Sequence, residues 1–414
     1  YDRASFESNY EQIFMKVLVY LPEEKLAPKG GPFAVGYYYY EEMKRRGDNI
    51  LEFTHVDAHY EDVHKKGRFV TSKLPKWFNN AHRTIRHIIN RRKYLSGRQF
   101  APKQDFSKYD IIHFHQSNHM YLERENLKNF KGIVLYQSHS PLPYGQEQCT
   151  DIPSIYDFCI PKMREKYEEI DRYCLERADY IIFPCEEAEE SYYNNWYYFT
   201  QYKKKHPENF RYVLTGIPAC KAEKTRTEVL KEYGVPENGF VISYVGRHNT
   251  VKGYDLLKEI ASDFFNREEE AWVISAGLES TFKRLEHLRW KEIGFTNDPH
   301  SLISASDVFV LPNRVTYFDI VMLEILALGK IVVASKTGGN RYFDKMGVEG
   351  VLLYDTKEEA IKQLSRVKNM TIEERNVLGA KNKDFFDKYL SSRVMYDNYI
   401  ELIRSFQDRN KHSI

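Results

Sequence analysis

The run FVISYVGRHNTVKG (residues 240–253) decides how the chain is read. Its first half is uniformly apolar and rich in β-branched and aromatic residues, the pattern of a strand buried on both faces. Its second half leaves that strand through Gly246 into a short turn holding Arg247 and Lys252. In an open α/β sheet, ligands bind where the carboxyl ends of the strands deliver the chain into loops. Two long cations there, about 4 Å apart at an effective dielectric of about 20, would repel by roughly 4 kcal/mol. A polyanion would remove that penalty.

Similar runs extend in both directions. WVISAG (272–277), WKEIGF (290–295), VFVLPN (308–313), IVVAS (331–335) and GVLLY (350–354) alternate with segments of helical length. MKVLVYL (15–21), DIIHFHQ (110–116), GIVLYQSH (132–139) and DYIIFPC (179–185) form an earlier block. Right-handed crossovers between parallel strands follow, which gives α/β architecture with two doubly wound, Rossmann-like domains. A Gly/Pro-punctuated charged stretch at 215–239 marks the boundary. We expect an N-terminal domain over 15–222 joined by a final helix at 390–414, and a C-terminal domain over 223–389. Met15 opens the first strand in this reading, and residues 1–14 are treated as an extension outside the fold.

The 414 residues are 42% hydrophobic and 29% charged, the composition of a globular protein with an ample core. No apolar run reaches the length of a membrane span, and no signal peptide is visible. Five cysteines without C-x-x-C or zinc spacing read as reduced thiols in a cytoplasmic protein. The net charge is only +2, yet Val63–Gln104 holds twelve Lys/Arg and no Asp or Glu.

Three motifs carry chemistry. KGGPFAVG (29–36) follows the first strand; Gly30 and Gly31 allow close backbone approach, and the helix beginning there offers N–H groups to an anion. It is neither G-x-G-x-x-G nor a P-loop. In TYFDIVMLEILALGK (316–330), Phe318, Asp319, Ile320 and Val321 read as a helix start, and Glu324 lies one turn further in. Asp319 is expected to cap that helix. Glu324 is expected to accept hydrogen bonds from ligand hydroxyls or to cap its own helix. Ile293, Gly294 and Phe295 end a strand whose backbone suits pairing with a base. Together these describe a nucleotide diphosphate: cations and a helix end for the pyrophosphate, a carboxylate for the ribose. No D-x-D occurs, so the chemistry points to cationic side chains and no metal or cofactor.

The order G-R-x(4)-K-G, then IGF, then SASDVFVLPN (304–313), then the Glu-bearing helix resembles glycosyltransferase family 4. That resemblance implies the GT-B fold, two Rossmann-like domains facing a cleft. It also implies retaining, metal-independent transfer from a nucleotide-diphosphate sugar. It makes Arg247, Lys252 and His139 catalytic, assigns Gly30–Gly31 to a donor loop and TGIP (215–218) to the interdomain loop, and takes the final helix back to the first domain. Thr316 stands where the family has a glutamate facing the donor sugar, and Asp319 where it has glycine. A rival reading is therefore a transferase-like binding subunit or chaperone of a transferase complex. A nucleotide-sugar epimerase would need carboxylate acid/base pairs, which are not identifiable.

KWFNNAHRTIRHIINRRKYL (76–95) predicts a helix over 77–93 with Trp77, Ala81, Ile85 and Ile88 on one stripe. Arg83, Arg86, Arg91, Arg92 and Lys93 occupy the rest. Such a helix suits an anionic membrane surface, the reading favoured here over one in which the apolar stripe packs on the N-terminal core and the charges are solvated. His115, near a strand end, is expected to touch the acceptor, and the resemblance to GT-B enzymes implies that this acceptor is a lipid-linked saccharide of a bacterial-type surface polysaccharide, built on the cytoplasmic face of the membrane. No nucleic-acid module is recognisable.

Overall fold

A computed structural model of the chain describes residues 15–21, 26, 28, 31–54, 76–96, 105–149, 152–278 and 282–411. Its contacts divide into two compact units. One comprises the chain up to Ile182 with Tyr202–Arg211 and the segment from Tyr396; the other is Phe183–Gln201 with Tyr212–Met395. Residues 183–201 and 212–222, placed with the N-terminal domain on sequence grounds, group with the second unit. For 212–222 the TGIP loop supplies the physical reason. Ile217 N–H bonds to Leu390 O at 3.0 Å, and Ser392 N–H returns to Ile217 O at 2.8 Å. Gly216 sits so close that an added Cβ would lie 2.4 Å from Ser391 O, so only glycine fits.

Among the described residues, the first unit has strands β1 (Val17–Tyr20), β2 (Leu51–Phe53), β3 (Ile111–Phe114), β4 (Ile133–Gln137), β5 (Tyr180–Phe183) and β6 (Phe210–Tyr212), in the order β2-β1-β3-β4-β5-β6. The pairs from β2 through β5 run parallel. β2 and β6, only three residues each, escape a reading based on apolar runs. The helix Gly31–Arg46 follows β1 and ends on Lys44, Arg45 and Arg46, which complement its dipole. The last helix, Ser392–Lys411, completes this unit. Tyr399 stacks on Tyr39 at 4.6 Å, Tyr396 donates to Asp48, and Phe406 stacks on Tyr180 at 4.4 Å.

The second unit has β7 (Phe240–Val245), β8 (Ala271–Ala276), β9 (Trp290–Gly294), β10 (Val308–Leu311), β11 (Val332–Ser335) and β12 (Val351–Tyr354). All pairs are parallel, in the order β12-β11-β10-β7-β8-β9. The chain steps outward from β7 through β8 to β9, then crosses back to lay β10 on the other side of β7. That reversal is a topological switch point, and the crevice it opens lies at the carboxyl ends of β7 and β10. The core beneath is made of buried residues such as Ile242, Tyr244, Leu257, Phe264, Val310 and Val333. Capping boxes at Thr225/Glu228, Thr356/Glu359 and Thr371/Glu374 start three of the helices.

All five cysteines are unbridged. No helix among the described residues is long and apolar enough to cross a membrane.

Candidate active site

The β7 loop is built tightly. Tyr244 donates its hydroxyl to Arg247 O at 2.9 Å, and Lys252 N–H bonds to Asn249 Oδ1 at 2.9 Å. Gly253 has φ +63°, and a Cβ there would fall 1.7 Å from Pro312 O, so the β7 and β10 loops meet only through glycine. Arg247 is exposed beyond Gly246. His248, between the two cations, is instead a core residue: its ring stacks on Tyr254 at 3.8 Å, with Glu292 3.7 Å away.

Lys252 does not stand as an unpaired cation. Its Nζ lies 2.6 Å from Asp319 Oδ2, with the two side chains 22% and 14% exposed. Asn313 Nδ2 donates to the same Oδ2 and, at 3.3 Å, to Thr316 Oγ1. Thr316 is buried. This corrects two expectations. Asp319 does occupy the N-cap position (φ −71°, ψ 130°), but its side chain makes no capping bond. A cap contributes about 1 kcal/mol, whereas a charge-assisted bond is roughly twice as strong as a neutral one, and the carboxylate follows the charge. The helix itself spans Ile320–Ala327. It begins two residues after Phe318, which is buried and stacked on Phe343 at 5.6 Å, so the N-terminal amides are those of Ile320 and Val321.

Glu324, partly buried on this helix, does not cap it with its side chain. Its Oε1 lies 3.5 Å from His300 Nε2. Hydrogen bonding to Cys220 and then to Glu324 raises His300 to about 10, so the imidazole is charged at neutral pH. Sequence reasoning missed His300; the Asp298-Pro299 helix start beside it was the available signal. Gly294 has φ +73°, its carbonyl takes Gly277 N–H at 2.8 Å, and Phe295 just beyond is exposed, as Ile293 is in part.

In the first unit, a ladder of histidines runs from β3 to the segments that follow β3 and β4. His115 Nδ1 lies 2.7 Å from His139 Nε2 with the rings stacked nearly parallel at 10°, and His113 packs against His115 at 4.1 Å. Tyr399 OH meets His113 Nδ1 at 2.9 Å. Burial depresses all three: His113 and His139 to about 3, and His115 well below the ordinary imidazole range. They are neutral at physiological pH. Gly31 packs on His139, whose Cβ would be 3.8 Å from an added Cβ; Gly30 lies outside the described residues. Among the described residues no group of three or more His, Cys, Asp or Glu is arranged to hold a metal.

The basic helix forms over Lys76–Leu95. Its cations divide in two. Arg91 donates to Tyr167 OH at 3.0 Å, and Arg92 donates through Nε to Cys159 O at 3.0 Å, while Ile88 and Leu95 pack on Tyr156, Met163 and Tyr167. Arg91 and Arg92 are thus engaged by the chain's own groups. Arg83 and Arg86 are exposed, as are Trp77, Phe78, Ile85 and Ile89.

Residues 225–385, which include the whole second sheet, match the family model for glycosyl transferases, group 1. This segment is thus similar to the group 1 glycosyl transferases. The glycogen synthase of Bacillus licheniformis is 31% identical over 128 residues, which are 28% of this chain and 26% of that protein. The O-antigen biosynthesis glycosyltransferase WclY of Escherichia coli is 26% identical over 226 residues, 51% of this chain and 60% of its own. The matches thus span less than two thirds of these curated relatives. The structure of Anabaena HepE, solved with UDP-glucose, superposes with a TM-score of 0.62 at 15% identity over 94% of this chain and 100% of that one. The two-domain α/β fold expected from the resemblance is borne out.

Within the group 1 segment, the structure joins Lys252, Thr316 and Asp319 through Asn313, and pairs Glu324 with His300. In the other unit it joins His115 to His139.

Proposed function

We propose that the chain is a retaining, metal-independent glycosyltransferase that moves a sugar from a nucleotide-diphosphate sugar to a glycan acceptor. The carrying observation is the convergence of the Arg247–Lys252 loop and the Ile320–Ala327 helix start at the switch point of a group 1 sheet. Charge developing on the departing diphosphate would meet Arg247, Lys252 and the amides of Ile320 and Val321. One preorganised donor of this kind is worth about 2.7–4 kcal/mol. Glu324, oriented by His300, would take the ribose hydroxyls, and Ile293–Phe295 the base. The UDP-glucose bound to HepE supports a donor of this class. Retention follows if the acceptor hydroxyl attacks from the leaving-group face and passes its proton to the departing phosphate oxygen. His139, neutral and hydrogen-bonded to His115, serves as a hydrogen-bonding contact rather than a charge.

The part of WclY in O-antigen biosynthesis supports a surface-polysaccharide product. The acceptor in our reading is a lipid-linked saccharide, reached by the Lys76–Leu95 helix on the cytoplasmic face of an anionic membrane. The decisive assay follows donor consumption over a panel of uridine, adenosine, guanosine and thymidine diphosphate sugars in excess EDTA, with and without a bacterial lipid extract. One donor should be consumed at full rate in EDTA and faster with the extract. Loss of rate in EDTA would overturn metal independence, and indifference to lipid the acceptor class. A second reading, a binding subunit without turnover, draws on Thr316 in place of an acidic residue. Tight nucleotide binding by calorimetry with no consumption of any donor would favour it.

A further inference from the structure

We propose that Asp319 is an internal counter-anion that sets how tightly this chain holds a nucleoside diphosphate; the inference rests on the nucleotide-diphosphate reading above. Lys252 Nζ is 2.6 Å from Asp319 Oδ2, so a second anion oxygen arriving at the ammonium meets a charge that the carboxylate already offsets, although the ammonium keeps further N–H donors. Asp319 is not a surface side chain that happens to swing across. Buried Asn313 donates to the same oxygen from the other side and is itself anchored, its carbonyl accepting from Ser335 Oγ at 2.5 Å. The pair is mostly buried, so neither charge is screened by water as a surface pair is. A diphosphate oxygen arriving at Lys252 therefore meets a fixed carboxylate that repels it and holds its counterion. The penalty grows with ligand charge. A free nucleoside diphosphate carries more negative charge than its sugar-linked form, so Asp319 weakens the product more than the donor and favours its departure.

If the pair only braced the loop, removing the carboxylate would leave Lys252 misplaced, and diphosphate binding would weaken or stay the same. The counter-anion predicts the opposite sign. Calorimetry with uridine, adenosine and guanosine diphosphates, without metal, compares the wild type with Asp319→Asn and Asp319→Gly. Whichever diphosphate binds the wild type should bind both variants at least tenfold tighter, with a smaller gain for the matching nucleotide sugar. In a Lys252→Ala background the Asp319→Asn gain should largely vanish, because Asp319 acts through that ammonium. Folding of each variant is checked by its thermal melt. Wild-type binding with no gain in either folded variant overturns the counter-anion and leaves the donor reading standing. No binding of any diphosphate by any folded variant overturns both.

Discussion

Arg247 and Lys252 occupy one turn but stand in different electrostatic situations. Lys252 is neutralised by Asp319, while Arg247 reaches outward from Gly246. The chain's ready positive charge for a leaving group therefore rests on Arg247. Arg247→Ala should lower turnover at saturating donor at least a hundredfold, the loss expected of one preorganised donor, with an unchanged melting temperature. Near wild-type turnover would remove Arg247 from the machinery. The sequence made this arginine legible because the strand-to-turn pattern placed it at a sheet end. It could not show the Lys252–Asp319 pair. Sixty-seven positions separate those residues, and the local rule at Asp319, that aspartate caps helices, gave a plausible but different partner. His300 was hidden for the same reason, since its carboxylate partner reaches it only through the packing of two helices.

The Lys76–Leu95 helix shows what periodicity does and does not reveal. Its extent was readable from the spacing of Trp77, Ile85 and Ile88, but not which cations the fold would use. Tyr167 and the Cys159 carbonyl take Arg91 and Arg92, leaving Arg83 and Arg86 with exposed Trp77, Phe78, Ile85 and Ile89. Each basic residue near an anionic surface contributes about 1 kcal/mol. Vesicle flotation should thus show binding to anionic but not zwitterionic liposomes, weakening as salt rises. Arg83→Glu with Arg86→Glu should abolish flotation without altering nucleotide affinity. Arg91→Glu would instead loosen the helix from its own unit, visible as a lower melting temperature. Wild-type protein that ignores anionic vesicles at low salt would point to a soluble acceptor.

For the molecule as a whole, the buried histidines tie stability to pH. Folding holds His113 and His139 to about 3, far below the 6.5 of a free imidazole. The unfolded chain therefore binds more protons, and stability falls as pH drops below 6.5. Each such histidine removes up to about 1.4 kcal/mol per pH unit until its folded value is reached. Thermal melts should decline steadily from pH 7 to pH 5, and His113→Gln should flatten the slope. A melt independent of pH over that range would contradict the burial. Ten strands of this architecture were legible because parallel strands buried on both faces are continuously apolar. The first unit's closure was foreseen only by resemblance, since nothing local in Ser392–Lys411 says which core its tyrosines enter.

That closure has a consequence for synthesis. Tyr396, Tyr399 and Phe406 meet groups translated far earlier, Asp48, Tyr39 and Tyr180. On the ribosome the second unit has all of its sequence once Met395 has emerged, while the first still lacks its last helix. The domain that is translated first is thus completed last. Until then the rings of Tyr399 and Phe406 are not in place against Tyr39 and Tyr180, and a stop codon before Ser392 would keep them from the unit for good.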